Sequence, residues 1–131
     1  MKILVCISVV PDTTTKITFK DNDTTFDKSS VQYILNPYDE LSLTRALEIA
    51  EQNAGTVHTI TVGESDCDPI IRKALAIGAH EAYRVDAQPK NAPFVAHQIA
   101  SHIKSENYDL ILTGRESIDY NGGMVQGLLA E

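Results

Sequence analysis

The feature that most limits what this chain can fold into is an alternation: short, β-branched apolar runs are separated by stretches with helical periodicity. "ILVCISVV" (Ile3 to Val10), "TVHTITVG" (56 to 63), "EAYRV" (81 to 85) and "DLILTG" (109 to 114) read as strands. The first is continuous enough to predict one strand buried on both faces, as in a parallel sheet, closed by Pro11-Asp12. Strands that alternate with helices of roughly 10 to 15 residues imply right-handed βαβ units, hence an α/β protein with a doubly wound, mostly parallel sheet. Lys16 to Asp27, alternating around the turn-rich "KDNDT", predicts a small β-hairpin excursion outside that sheet.

The helices carry their own start and stop signals. In "NPYDELSLTRALEIAEQNAG" Asn36 can cap, Pro37 suits the first helical position, Asp39 and Glu40 favour the positive end and Gly55 ends the helix. Leu43, Ala46, Leu47, Ala50 and Ala54 then share one face. A second helix is expected over Asp66 to Ile77, with Ile70, Ile71, Ala74 and Leu75 as its apolar stripe and Gly78 as its cap. A third, Asn91 to Ser105, turns Val95, Ile99 and Ile103 inward, and a last one starts near Gly122.

At 131 residues the sequence suits one domain over 1–131. A net charge of −7 disfavours general attraction to nucleic acid or anionic lipid, so any phosphate site must be local, built from backbone amides and a helix N-terminus. No apolar run approaches the roughly 18 residues of a membrane span, and Pro-Asp rather than a cleavage site follows the first run, which reads as a cytoplasmic protein. Cys6 and Cys67 lie far apart without a Cys-x-x-Cys partner, so neither zinc nor a disulfide framework is signalled.

Ligands on doubly wound sheets bind beyond the carboxyl ends of the strands, which nominates the loops after Val10, Val62 and Thr113. The last of these, Gly114 to Gly123, is either an ordinary strand–helix turn or a loop that wraps a nucleotide, with the amides of Asn121 to Gly123 pointing at an anion. The dinucleotide G-x-G-x-x-G and the P-loop G-x-x-x-x-G-K-[ST] are both missing. Asp12, Asp109, Glu116 and Asp119 form no acid–base pair by spacing, and Asp119 alone is placed to bond a ribose or the loop backbone. His97 and His102 are not at the i, i+4 spacing of a metal motif, no serine sits in a G-x-S-x-G elbow, and Cys6 inside an apolar strand reads as core. No catalytic constellation emerges.

Taken together, "MKILVCISVVPD", "NPYDELSLTRALEIA", "IIRKALAIGAHEAYRV" and "DLILTGRESIDYNGG" resemble the β subunit of electron-transfer flavoproteins, in register over nearly the whole chain. N-P-x-[DE]-E, R-x-A-L-A-x-G-A and G-[RK]-x-x-I-D are specific in combination. The resemblance implies a Rossmann-like domain of the adenine nucleotide alpha hydrolase-like type, without a catalytic centre. It implies a heterodimer with an α subunit that holds most of a redox FAD, electrons delivered by dehydrogenases, and an AMP, or in bifurcating members a second FAD, in the β subunit itself. The implied nucleotide contacts are Cys6; Asn36, Pro37, Tyr38 and Asp39; Val62; and Gly114, Arg115, Glu116, Ser117, Ile118, Asp119, Tyr120, Asn121, Gly122, Gly123, Met124 and Val125. Where the family reads I-D-G-D-T-G-Q-V-G, Ile118-Asp119 here is followed by Tyr120, Asn121, Gly122, Gly123, Met124 and Val125. Met124 replaces an amide side chain, so phosphate binding would rest on backbone amides and Asn121. Chains of the family continue past the equivalent of "LLAE", so this one reads as an amino-terminal portion, with Met124, Val125, Leu128 and Leu129 expected as an exposed patch.

Two other readings compete. A free-standing nucleotide-binding module resembling universal stress proteins would carry G-x-x-G-x(9)-G-[ST], and an adenine-nucleotide hydrolase of related fold would carry S-G-G-x-D. Neither run is present.

Overall fold

A computed structural model describes residues 1–131, the whole sequence. In chain order the elements begin with β1 (Lys2–Cys6), β2 (Val9–Pro11), β3 (Phe19–Lys20), β4 (Thr25–Phe26), β5 (Tyr33–Leu35) and α1 (Pro37–Gln52). They continue with β6 (Thr56–Gly63), a 3-10 turn (Ser65–Cys67), α2 (Asp68–Ile77), β7 (Glu81–Asp86), α3 (Ala92–Lys104), β8 (Leu110–Leu112) and α4 (Val125–Ala130). The main sheet has the order β7-β6-β1-β8 with every neighbouring pair parallel. Strand order therefore runs one way from β1 to β7 and reverses between β1 and β8.

Side chains of β1 alternate between two cores, as a strand covered on both faces requires. Ile3, Val5 and Ile7 pack with Leu43, Ala46 and Ala50 of α1 and Ala74 of α2. Leu4 and Cys6 pack on the opposite face with Ile60, Val62 and Ile99 of α3. Val125 and Leu129 of α4 join this second core, while Met124 and Leu128 are exposed, so the expected patch is half as large as the sequence implied.

The run Ile3 to Val10 is two strands rather than one. Ile7 N still donates to Ile60 O at 2.9 Å, but at Ser8 the chain leaves the sheet, and Val9–Pro11 pairs antiparallel with Tyr33–Leu35. Apolar pattern identifies an extended segment but not its hydrogen-bonding partner, and Ser8 gives its amide and hydroxyl protons to Asp39 instead. The hairpin is present as β3 and β4, turning through left-handed Asp21, Asn22 and Asp23.

Helix α1 starts at Pro37 as its sequence predicts, but its end differs in cause. Ala54, not Gly55, takes the left-handed conformation (φ 47°), and it is exposed rather than on the inward face. Gly55 is needed for space: a Cβ there would lie 2.5 Å from Met1 O. The second expected helix has a 3-10 first turn; Ile71 and Ala74 are buried and Ile70 packs partly buried against the core, while Leu75 is 41% exposed and leaves the stripe. Gly78 (φ 139°) closes it as expected, donating to Ala74 O and Leu75 O. Asn91 caps α3 by accepting from Phe94 N at 3.0 Å. No helix is long and apolar enough to cross a membrane.

At the amino end of the sheet His58, 7% exposed, meets the Tyr108 hydroxyl at 3.2 Å and lies 3.8 Å from Glu81. Burial holds its imidazole below the ordinary value, with Glu81 opposing. The folded chain therefore binds this proton less readily than the unfolded chain does. The sign follows: His58 costs nothing above about pH 6.5 and subtracts stability as pH falls below it. His58→Gln is expected to narrow the difference between thermal midpoints at neutral and mildly acidic pH; an unchanged difference would contradict this.

Candidate functional site

The reversal of strand order separates the loops after β1 and β8 and leaves a crevice at their carboxyl ends, as open α/β sheets do. A cavity of about 430 Å³ occupies it. Its apolar side is formed by Cys6, Val62, Val95 and Ile99. Ser8, Asn36 and Asp39 form a polar wall, the loop from Thr113 to Gln126 closes one side, and Pro89 to Ala92 the other. Lys90 is the one cation in the lining, against Asp39, Glu116 and Asp119.

Of the residues expected at the site, Cys6, Asn36, Asp39, Val62, Gly114, Glu116, Ser117, Asp119, Tyr120, Gly122 and Val125 line this cavity. Pro37, Tyr38, Arg115, Ile118, Asn121, Gly123 and Met124 are not part of the lining. Of those, Pro37, Arg115, Asn121, Gly123 and Met124 are exposed to solvent. The lining also includes residues that sequence reasoning passed over, chiefly Ser8, Cys67, Gln126 and the segment Pro89 to Ala92. That segment follows β7, so the rule that nominated the other carboxyl-end loops would have found it too.

The polar wall is held by long-range bonds. Asp39, 5% exposed, accepts from Ser8 N (2.8 Å) and Ser8 Oγ (2.6 Å) through Oδ2, and from Gly114 N (3.1 Å) through Oδ1. Burial pushes its carboxyl above the ordinary value, and the donors from Ser8, Asn36 and Gly114 oppose that rise. Asn36, 1% exposed, does not cap α1 with its side chain. Its Nδ2 donates to Glu116 O (2.9 Å) and its Oδ1 accepts from Ile118 N (3.3 Å).

The Gly114–Met124 loop is closed upon itself. Ser117 N donates to Gly122 O (3.0 Å), Gly122 N donates to Ser117 Oγ (3.1 Å), and Gln126 Nε2 donates to Arg115 O (2.7 Å). The Gly122 amide, expected to face an anion, is thus engaged within the loop. Asn121 is left-handed (φ 56°) and donates from Nδ2 to Glu116 Oε1 at 3.4 Å. Asp119 accepts from Tyr120 N at 3.0 Å, so it serves the loop backbone.

Neither thiol is set up as a nucleophile. Burial, with the Asp39 charge added, pushes Cys6 up to about 12. Burial and Asp66 push Cys67 up to about 11. Both thiols are free and stay protonated at neutral pH. No group of three or more His, Cys, Asp or Glu side chains is arranged to hold a metal ion. The arrangement offers a half-open, partly apolar crevice with backbone and amide groups on its walls, the composition of a ligand-binding site.

The electron transfer flavoprotein domain profile matches residues 23–131. The whole chain is 30% identical to the electron transfer flavoprotein subunit beta of Bacillus subtilis, covering 52% of that protein. Over 98% of its length it is 36% identical to the mitochondrial subunit beta of Arabidopsis thaliana, of which it covers 54%. It is 34% identical to the caffeyl-CoA reductase-Etf complex subunit CarD of Acetobacterium woodii, again covering 52%. The chain spans about half the length of these curated relatives. With a parallel sheet that reverses at β1 and β8, and with the profile matched over most of its length, the chain belongs to the electron transfer flavoprotein domain family.

Proposed function

We propose that this chain is the adenine-nucleotide-binding part of an electron-transfer flavoprotein β subunit, without catalysis of its own. In this reading the protein pairs with an FAD-bearing α subunit and carries electrons from dehydrogenases to an acceptor. The observation that carries it is the family match across residues 23–131 coinciding with a cavity at the strand-order reversal. The names of the relatives support the electron-transfer role, and the absence of an acid–base or nucleophile constellation fits a carrier subunit. AMP is the proposed occupant of the cavity, with FAD held mainly by the partner. The full-length protein purified alone is expected to be colourless, and its complex with the α subunit to show a flavin spectrum; flavin retained by the isolated chain through gel filtration would overturn this division.

Gly123 gives a clean test of the nucleotide reading. A Cβ there meets nothing nearer than 3.5 Å, so the fold itself tolerates a side chain. Gly123 follows Gly122, which lines the cavity, so a branched side chain in Gly123→Val is expected to crowd the cavity rim and weaken AMP binding about tenfold, the value of one hydrogen bond to a charged group. Lys20→Ala on the distal hairpin is expected to leave it unchanged. Equal calorimetric affinities in the two variants would count against the loop as part of the site.

A further inference from the structure

Asn36, Asp39 and Ser42 are spaced three residues apart, which puts them on one stripe at the start of α1. All three meet backbone of the loop that follows β8. Ser42 Oγ donates to Thr113 O (2.8 Å), Asp39 accepts from Gly114 N, and Asn36 brackets the loop at Glu116 O and Ile118 N. Asp39 and Asn36 also reach the loop after β1: Asp39 accepts two protons from Ser8, and Asn36 N donates to Ser8 O at 3.0 Å. One helix face thus fastens both loops that border the cavity. The amide of Asn36 has each end engaged, and both oxygens of Asp39 accept from protein donors.

The geometry points to Asn36, Asp39 and Ser42 as positioning residues: they hold the two loops in the shape that receives the nucleotide. This rests on the nucleotide reading of the cavity, but assigns Asn36 and Asp39 a different role from the ligand contacts that the family resemblance implied. The helix acts on the ligand through the backbone of Gly114 to Ile118. Loss of one fastening then loosens the loop for every ligand alike, whereas loss of a direct contact weakens only ligands carrying the contacted group.

The test uses the full-length protein, with its partner subunit if the two copurify, and the variants Asn36→Ala, Ser42→Ala and Ser42→Thr. Calorimetry would measure AMP, 2′-deoxy-AMP and inosine monophosphate, and amide exchange would be followed without ligand. Ser42→Ala is expected to weaken all three ligands by the same factor, about fivefold for one neutral hydrogen bond, with Ser42→Thr restoring affinity. Asn36→Ala is expected to do the same and to speed exchange at Ile118 while β6 amides are unchanged. A ligand-selective loss in either Ala variant, or unaltered affinity in both, overturns the positioning role alone. Failure of the unsubstituted protein to bind any of the three overturns the nucleotide reading and this inference with it.

Discussion

Gly114→Ala is expected to lower the unfolding free energy by about 3 kcal/mol and to remove nucleotide binding, a severe effect for one added methyl group. The Cβ would stand 2.0 Å from Asp39 Oδ1 and 2.9 Å from both Asp39 N and Tyr38 C. The first turn of α1 cannot retreat, because Asp39 is held from the other side by Ser8 and Asn36 N by Ser8 O. The loop must therefore move, breaking the Gly114 N to Asp39 bond in a buried setting. Urea unfolding of Gly114→Ala against Gly127→Ala checks this. A Cβ at Gly127 meets nothing within 4 Å, and that residue lies in α4, where alanine is the better helix former. The control should be at least as stable as the parent. Similar midpoints for the two variants would show that the loop gives way without cost.

The second large effect is expected for Asp39→Ala. It leaves Ser8 N, Ser8 Oγ and Gly114 N without their acceptor, and the resulting loss is about 3 kcal/mol, since hydrogen bonds to a charged group are worth more than neutral ones. The cost of burying the carboxylate, visible in its raised pKa, offsets part of that loss. Asp39→Asn keeps an acceptor for one loop but turns an amide NH2 toward donors of the other, so it should fall between the parent and Asp39→Ala. Thermal unfolding of the three proteins gives the order directly. An Asp39→Ala variant as stable as the parent would mean that the two loops are held independently of this side chain.

Much of the architecture was legible because it is local. Pro37 at the helix start and Gly78 at a helix end each act within a few residues, and each is where the pattern placed it. The carboxyl-end rule found the side of the cavity that follows Thr113, but the loop after Val10 does not line it, because the chain leaves the sheet at Ser8. What the sequence hid is nonlocal. The exit of the chain at Ser8 depends on a carboxylate 31 residues away, and Asn36 looks like a helix cap yet spends its side chain on carbonyl and amide groups 80 and 82 residues on. Similarly, Asn121-Gly122-Gly123 reads as a free amide cradle until Ser117 is seen to occupy the Gly122 amide. Such bonds leave no periodic trace.

The proposed function places an adenine nucleotide in the crevice between β1 and β8. The most direct measurement is to purify the full-length protein under native conditions, unfold it, and identify by mass spectrometry whatever small molecule is released. One adenine nucleotide per chain is expected, and none from Gly114→Ala prepared in the same way. A preparation that releases no adenine nucleotide, and takes none up from millimolar AMP, would contradict it.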